Sequence, residues 1–384
     1  MKKTLAAVAV LGAFAGSAVA ADVTLYGLVD YSLQYQHLDA DQANVDKADT
    51  LKLSSGQNSG ARFGLKGVED LGNGYKVGFV LENGFSADTG ALSTENKLFD
   101  REAQLYIDSD FGKLAFGRVG QLASANGSYG LLGATGPFST GYGDATAGLK
   151  WISANGYARF DNTVTYVTPT FAGLNVYAQY SFQNDSAAEA TKNGVEGQSS
   201  VDRYYGIGAK FVNGGLTLVG TVDSINYASY PTASKIDDSV TVNLGGNYDF
   251  EVAKVFFGAT YFDNAKKVGN KNVIAKEGVA TIDKGYTLGS EGAEGWGLGL
   301  GVSAPVLGGT VGAYAGYLDA DSVDSTDASL KRYVAAAGYS YSFTKRTSMY
   351  STVSYTKDKY EANKDADAVK ASSVEFLLGM IHRF

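Results

Sequence analysis

The side chains that most often carry enzyme chemistry are scarce in this sequence. Its 384 residues include no cysteine and two histidines, His37 and His382, which lie near opposite ends of the chain. An imidazole metal centre or a Ser-His-Asp triad needs several such groups in one place. The glycine-rich stretch "GWGLGLGVS" at 295–303 also lacks the lysine and the following helix of a phosphate-binding loop. We therefore predict that the chain is not an enzyme and binds no metal or cofactor.

Charged side chains within stretches of alternating polarity are the remaining candidates for function. In "SGARFGLKGVED", Arg62 and Lys66 alternate with Ala61, Phe63 and Leu65, so both cations are expected on the polar face of a strand. Charges of this kind attract, repel and steer ions without making bonds. Their role depends on the strands that hold them.

Alternation with a period of two residues extends along almost the whole chain. In "DVTLYGLVDYSLQYQ", Val29, Tyr31 and Leu33 share one face while Asp30 and Ser32 share the other. Such a period predicts β-strands, and no long helical period competes with it. Sixteen runs carry the pattern, near 22–36, 59–69, 74–84, 97–109, 113–121, 158–168, 173–183, 202–212, 215–225, 238–249, 253–263, 293–303, 309–319, 330–342, 346–357 and 373–384.

The gaps between these runs alternate in length. The short gaps, such as "DLGNG" at 70–74 and "VNGG" at 212–215, carry the glycine and asparagine of tight hairpins. Between them lie longer polar gaps, near 37–58, 85–96, 122–157, 184–201, 226–237, 264–292, 320–329 and 358–372. This pattern predicts an all-β fold, a transmembrane antiparallel β-barrel of 16 strands with short periplasmic turns and long extracellular loops.

The first twenty residues predict export. "MKK" precedes a short apolar run and an A-x-A arrangement of Ala18 and Ala20, which is typical of a secretory signal peptide cleaved after Ala20. We expect residues 1–20 to be removed and residues 21–384 to form one barrel domain in the outer membrane. The mature chain then carries 30 basic and 40 acidic residues, a balance that argues against nucleic acid as a partner.

The C-terminal stretch "SSVEFLLGMIHRF" ends in an aromatic residue rather than a polar tail. Phe376, Leu378, Met380 and Phe384 share one face, which suits contact with lipid. A barrel has no free sheet edge, so its last strand must pair with its first. We predict that Phe376 and Phe384 belong to this closing strand, which is also the segment expected to engage the barrel-assembly machinery.

Several stretches resemble the general porins of Gram-negative bacteria, in particular the β-proteobacterial type. They are "DVTLYGLVDYSLQY", "SGARFGLKGVEDLGNGYKVGFVLENGF", "LFDREAQLYIDSDFGKLAFGRVG", "FDNTVTYVTPTFAGLNVYAQY" and the final "HRF". Together they cover both ends and nearly all of the first half, whereas 184–330 matches only in its alternation. Taken together, these stretches are specific to the family, although "LYG" or "HRF" alone would be weak evidence of membership.

The resemblance implies a homotrimeric barrel in outer-membrane lipid and lipopolysaccharide, through which ions and small hydrophilic solutes diffuse passively. It also implies that the third loop, 122–157, folds into the lumen and narrows it. In this loop, Pro137, Phe138 and Tyr142 are expected to pack inside the barrel wall. Family members often carry several acids here, whereas this loop offers mainly Asp144.

Arg62 and Arg101 match positions where the family lines its constriction with a basic cluster. The resemblance places Arg101 and Ala103 on the inward face of the fourth strand, and Lys66 and Arg159 are further candidates. The acids expected to face the cluster are Asp144 on the third loop, Glu82 on the third strand and Asp30 on the first. Salt screens charges over about 8 Å, so the nearby cations predict a weak preference for anions. The alternative is that these are solvated lumen charges without a selective role.

Arg118, in "LAFGRVG", departs from the pattern because alternation places it on the lipid face with Leu114 and Phe116. A lone arginine there costs about 2–4 kcal/mol at the bilayer midplane. We therefore assign it to a subunit contact formed by the first five strands. The other residues assigned to this contact are Glu102, Gln104 and, on a neighbour's second loop, Asp88 or Glu95. A β-bulge that shifts the parity at Arg118 is the alternative.

Other functions stay open at this stage. A substrate-specific channel would need a dedicated binding site, for which Tyr129, Phe138 and Tyr142 are available but form no ladder in the sequence. An adhesin would use the barrel only to present loops, and the lysine-rich gap at 264–292 is long enough for that role. For a hydrolase built on aspartates, the sequence localises no pair of carboxylates.

Overall fold

The computed structural model describes residues 23–138, 143, 149–185, 194–229, 236–269, 271–283 and 285–384. The predicted signal peptide, residues 1–20, and the candidates Tyr142 and Asp144 lie outside the described residues. The described chain consists of β-strands, loops and two short 3₁₀-helices at Leu132–Thr135 and Leu149–Trp151. No helix in these ranges is long and apolar enough to cross a membrane.

Nineteen strands form in the part of the chain that the structure describes. They are β1 (Thr24–Asp39), β2 (Ala48–Ser55), β3 (Arg62–Gly72), β4 (Tyr75–Gly84), β5 (Glu102–Ser109), β6 (Gly112–Gly120), β7 (Arg159–Val167), β8 (Leu174–Ser181), β9 (Arg203–Asn213), β10 (Leu216–Asn226), β11 (Val240–Asp249), β12 (Lys254–Ala265), β13 (Asn272–Lys276), β14 (Val279–Asp283), β15 (Ala293–Val306), β16 (Gly309–Ser322), β17 (Ser329–Ser342), β18 (Thr347–Glu361) and β19 (Ser372–Arg383).

Seventeen of these strands form one sheet, and β13 and β14 form a separate hairpin. β2 and β3 both pair with β1, the first alongside Tyr31–Leu38 and the second alongside Thr24–Leu28. They are therefore two halves of a single barrel strand. The predicted antiparallel barrel of 16 strands is confirmed.

The barrel closes between β1 and β19. β19 pairs with β1 from Leu28 to Asp39, and the backbone groups of Gly27 and Phe384 exchange hydrogen bonds of 3.1 and 3.0 Å. Phe376 and Phe384 are exposed on the outer wall of this seam. The terminal aromatic is thus part of the continuous hydrogen-bonded ring that leaves the sheet without an edge.

Alternation places polar side chains in the lumen and apolar side chains on the outer wall. In β1, Asp30, Ser32 and Gln34 are buried, whereas Tyr31 and Leu33 are exposed on the outside. In a bilayer the outward residues meet hydrocarbon, and the inward residues meet water or the folded loops. A single two-residue period therefore satisfies both environments.

The first predicted gap, 37–58, is mostly strand. β1 continues to Asp39 and pairs with β2, so only 40–47 connects them. In β2, Leu51 and Leu53 are exposed and alternate with Lys52 and Ser54, a run that is shorter than those of the predicted strands. The chain then leaves the sheet at 56–61 and returns as β3.

The third loop, between β6 and β7, packs on the inner wall of the barrel. Its residues Leu132, Leu149 and Ile152 are almost fully buried and belong to one apolar cluster with Phe262 of β12 and Leu318 of β16. The cluster explains why this loop is rich in apolar residues.

Pro137 and Phe138 of the third loop lie against wall glycines. A Cβ atom added at Gly301 would lie 2.6 Å from Pro137, and one added at Gly312 or Gly338 would lie 3.3 or 3.1 Å from Phe138. The absence of side chains at these wall positions makes room for the loop.

The sixth loop, 266–292 between β12 and β15, contains the hairpin of β13 and β14. Val273 and Ala280 of the hairpin form an apolar cluster with Leu38 and Ala40 near the top of β1 and with Ala371 before β19. The sixth loop therefore reaches from its own strands to the strands at the barrel seam.

Candidate functional site: a basic cluster in the lumen

Glu82 of β4 is the centre of the charged cluster on the inner wall. Its carboxylate accepts a 2.7 Å hydrogen bond from Nε of Arg101, and Nη1 of Arg62 lies 3.7 Å away. The hydroxyl of Tyr26 donates to the other oxygen of Glu82 at 3.1 Å. Gly64 lies opposite Glu82 in the pairing of β3 with β4, and because glycine has no side chain, Tyr26 fills that space.

A cavity of about 410 Å³ opens beside this cluster. The cations that line it are Arg62, Arg101 and Arg159 from the wall, Lys150 from the third loop and Lys271 from the sixth loop. No carboxylate lines the cavity among the residues that the structure describes. A space of this composition attracts anions and repels cations.

The segment 56–60 and the third loop form other parts of the cavity lining. The backbone N–H of Gly143, on the third loop, donates to the carbonyl of Gln57 at 3.0 Å. The third loop therefore crosses the lumen and touches the interruption between β2 and β3. This contact lies beside the basic cluster, because Gln57 and Gly143 line the same cavity as Arg62 and Arg101.

Asp30 supports that interruption instead of lining the cavity. Its side chain is fully buried, and one oxygen accepts hydrogen bonds from the backbone N–H groups of Asn58 and Ser59 at 2.9 and 2.8 Å. The other oxygen accepts a hydrogen bond from the hydroxyl of Tyr350 at 2.9 Å. Asp30 was expected among the constriction acids, but its side chain is fully buried and does not line the cavity.

Lys66 points inward, as parity predicted, but it is not among the residues that line the cavity. The Nζ atom of Lys66 lies 5.3 Å from the centroid of the Tyr26 ring. In the pairing of β3 with β1, Lys66 lies opposite Thr24. It contributes charge beside the cluster and has no direct contact with the cavity.

Sequence reasoning missed Lys150 and Lys271. Both lie in loops, where no alternation indicates the direction of a side chain, and they are more than 100 residues apart. The lysine-rich composition of 264–292 was visible but suggested a surface role. Nothing in that composition distinguishes the lysine that reaches the lumen from those that do not.

Comparison with known proteins identifies the chain. A family model described as Gram-negative porin matches residues 6–361. The chain belongs to this porin family. The porin is 33% identical to an outer membrane porin protein of Bordetella pertussis, over 100% of both chains. It is 31% identical to outer membrane porin protein 32 of Delftia acidovorans, over 94% of this chain and 90% of that protein.

Solved structures agree with the assignment. The anion-selective porin from Comamonas acidovorans superposes on this porin with a TM-score of 0.68 and 25% identity, covering 95% of this chain and 100% of that one. The predicted family and outer-membrane location are confirmed. These relatives are named as porins, which fits the prediction that the chain is not an enzyme.

Arg118 of the porin pairs within its own chain. The pairing of β6 with β7 shifts between Gly117 and Val119, and Gly117 has φ of +125°, so a bulge lies at this position. Arg118 keeps the outward parity of Phe116, because Phe116 and Arg118 lie opposite Leu105 and Ala103 in the regular pairing of β5 with β6. Its Nη1 contacts Asp161 at 2.6 Å, and its Nε donates to the carbonyl of Asp100 at 2.7 Å. The outward parity expected for Arg118 therefore agrees with the register, and its assignment to a subunit contact stays a prediction.

Glu102 and Gln104 face the lumen, which contradicts their assignment to a contact on the outer wall. Both are buried, and the backbone N–H of Ser128 on the third loop donates to Glu102 at 3.2 Å. Ala103 therefore faces outward, contrary to the expectation that it shares the inward face with Arg101. Arg101 reaches the lumen because it precedes the first residue of β5 and does not follow that strand's parity.

Asp88 and Glu95 are exposed on the second loop, between β4 and β5. The expected contact of these acids with Arg118 of a neighbouring subunit stays a prediction. In the described residues, no group of three or more histidine, cysteine or acidic side chains is placed to hold a metal.

Proposed function

We propose that this porin forms a water-filled channel for passive diffusion of ions and small hydrophilic solutes, with a weak preference for anions. The observation that carries the proposal is the lumen cavity lined by five cations, three on the wall and two on loops. Glu82 offsets part of this charge because its carboxylate contacts both Arg62 and Arg101. The local excess of positive charge supports a preference that is anionic but not strong.

Distant charges favour the opposite sign, since the full chain carries a net charge of −8. At physiological salt the Debye length is about 8 Å, so exposed charges farther away are largely screened. An ion inside the narrow part of the lumen is close to the lining and has little water to screen it. The local cations therefore outweigh the acidic loops in this proposal.

The printed description of a solved relative points in the same direction. The porin from Comamonas acidovorans is described as anion-selective, and it is 25% identical to this chain. That selectivity belongs to the relative. It supports the proposal because the two chains share the barrel over nearly their whole length.

Neutralising the wall arginines tests the proposal. In planar-bilayer recordings under a tenfold salt gradient, we expect the double variant Arg62→Gln/Arg101→Gln to have a weaker anion preference than the unmodified porin. The reason is that two of the five lining cations are lost, while Arg159, Lys150 and Lys271 remain and Glu82 keeps its charge. A further variant with Glu82→Gln added should recover part of the anion preference, which separates loss of the cations from exposure of the acid.

The matched control is Lys254→Gln, which removes a lysine paired with Asp249 at 3.1 Å beside the turn between β11 and β12. Its reversal potential should equal that of the unmodified porin. An unchanged reversal potential in the double variant would contradict the basic constriction while leaving the channel itself intact.

We also infer that residues 1–20 are a signal peptide cleaved after Ala20, and that residues 21–384 form one barrel domain that assembles into a homotrimer. The family resemblance supports the trimer, and the A-x-A arrangement supports the cleavage. N-terminal sequencing of the purified protein should begin at Ala21, and single channels should close in thirds. Closure in one step would contradict the trimer.

A further inference from the structure

Lys150 and Lys271 approach the cavity from loops rather than from the wall. Lys150 belongs to the 3₁₀-helix Leu149–Trp151 of the third loop, and Lys271 precedes β13 of the sixth loop. Both line the same cavity as Arg62, Arg101 and Arg159. The positive lining is therefore assembled from the wall and from two loops that are separate in sequence.

One buried guanidinium holds the backbone beside both lysines. Arg332 of β17 is fully buried and forms a bidentate pair with Asp358 of β18, with distances of 2.7 and 2.8 Å. Its Nη1 donates to the carbonyl of Trp151 at 3.0 Å, and its Nη2 donates to the carbonyl of Lys271 at 2.6 Å. Trp151 immediately follows Lys150, so one side chain fixes the backbone of both loops.

Direct contacts between the loops strengthen this arrangement. The backbone N–H of Gly269 donates to the carbonyl of Ser153 at 2.8 Å, and Val268 forms a β-bridge with Ala154. The Nζ atom of Lys271 lies 5.8 Å from the centroid of the Trp151 ring. The base of the sixth loop and the end of the third loop therefore behave as one packed unit.

The far end of the sixth loop is attached to the barrel seam. Asp46 lies in the connection between β1 and β2, and its backbone carbonyl accepts a hydrogen bond from the N–H of Ala280 at 2.9 Å. The backbone N–H of Asp46 donates to the carbonyl of Gly278 at 2.7 Å. The apolar cluster of Val273 and Ala280 with Leu38 adds to this attachment. Because both ends of the hairpin are held, the backbone at Lys271 has little freedom to swing away from the lumen.

We propose that the sixth loop is a second selectivity element, in which Lys271 together with Lys150 completes the cationic lining and Arg332 positions both. This proposal rests on the proposed function, because it needs ions to pass the cavity. Cations on more than one side of a passage leave an anion near positive charge along its whole crossing. Wall arginines alone would leave the loop side neutral.

The natural lack of cysteine makes a direct test possible. Lys271→Cys introduces the only thiol, which a methanethiosulfonate reagent modifies from the aqueous lumen. We expect a sulfonate-bearing reagent to lower the anion-to-cation permeability ratio by about twofold or more. A trimethylammonium-bearing reagent should restore the ratio of the unmodified porin, because it returns a fixed positive charge to the same position.

Lys276→Cys is the matched control. Lys276 ends β13 in the same hairpin but is exposed and does not line the cavity. Both reagents should modify it, as mass spectrometry would show, without changing the permeability ratio. A Lys271→Cys porin that resists modification, or that is modified without a change in the ratio, overturns the proposal.

The result also separates this proposal from the proposed function. If modification of Lys271→Cys leaves the permeability ratio unchanged while Arg62→Gln/Arg101→Gln shifts the reversal potential, the sixth loop has no selective role. The proposed constriction at the wall arginines is then retained. If neither variant shifts the reversal potential of a conducting channel, the basic constriction itself is wrong.

Arg332 is a positioning residue, and its test uses the same readout. Arg332→Lys keeps the charge opposite Asp358 but cannot bridge the carbonyls of Trp151 and Lys271 as well. In this background the change caused by the sulfonate reagent at Lys271→Cys should shrink, because the loop no longer holds the modified side chain at the lumen. An undiminished change would assign Arg332 a role in stability alone.

Discussion

At the scale of single residues, the direction of a strand side chain followed from parity, but its partner did not. Alternation placed Arg62 and Lys66 on the inward face, and the structure agrees for both. That Glu82 would lie beside Arg62 and Arg101 on the same wall depended on the register between neighbouring strands. Register is a property of two strands, so one strand's sequence does not contain it.

Parity placed Arg118 on the outward face, but it did not identify Asp161 as its partner, and this pairing is testable. We expect Arg118→Gln and Asp161→Asn each to lower the free energy of unfolding, and the double variant to cost less than their sum. The coupling should be about 1–3 kcal/mol, since the pair is charged and mostly buried. Denaturant unfolding of the four proteins in detergent measures it.

The control cycle uses Lys113 and Asp108, which pair at 3.2 Å in a more exposed position. That coupling should stay below about 1 kcal/mol. Additive effects at Arg118 and Asp161 would mean that the arginine finds its main partner elsewhere, as a subunit contact would require. The Lys97 contact with Asp161, at 2.9 Å, is left intact in the Arg118 variant.

At the scale of elements, the loops differ from the strands in how far the sequence predicts them. The short turns follow from glycine and asparagine, and turns such as 73–74 and 214–215 lie where those residues occur. The hairpin inside 264–292 was not predicted, because its strands are short and are stabilised by contact with the barrel seam. Tertiary contact can stabilise strands that local pattern does not specify.

Phe138 tests the attachment of the third loop. We expect Phe138→Ala to raise single-channel conductance and current noise, because the ring that fills the space over Gly312 and Gly338 is lost. Removal of a buried phenylalanine costs about 3 kcal/mol or more of packing. Single-channel recording at fixed salt measures both quantities.

Phe343→Ala is the control for this element, since Phe343 is exposed on the turn between β17 and β18. Its conductance and noise should match those of the unmodified porin. A Phe138→Ala channel with unchanged conductance and noise would show that other contacts hold the third loop in place.

At the scale of the whole molecule, closure of the ring converts local alternation into a membrane-spanning fold. Every strand of a barrel finds a partner on each side, so the hydrocarbon core meets no unpaired backbone groups. Phe384 completes this pairing through its two hydrogen bonds with Gly27. The last residue is therefore part of the barrel.

Deletion of Phe384 is expected to destabilise the folded barrel by roughly 1–3 kcal/mol, through the lost backbone bonds at the seam. The folded form should convert to the unfolded form at a lower temperature, as seen by heat-dependent migration in detergent gels. Lys345→Ala, on an exposed turn, should leave that temperature unchanged. An unshifted transition after the deletion would mean that the seam is stable without its terminal pair.

The sequence by itself determined the number and order of the barrel strands, most of their inward faces and the positions of the short turns. It could do so because lipid and water on opposite sides of a wall impose a two-residue period on each strand independently. Only the tertiary structure decided which charges share the lumen. Lys150 and Lys271 meet the wall arginines because folded loops bring distant parts of the chain to one cavity, and no local period records where a loop will pack.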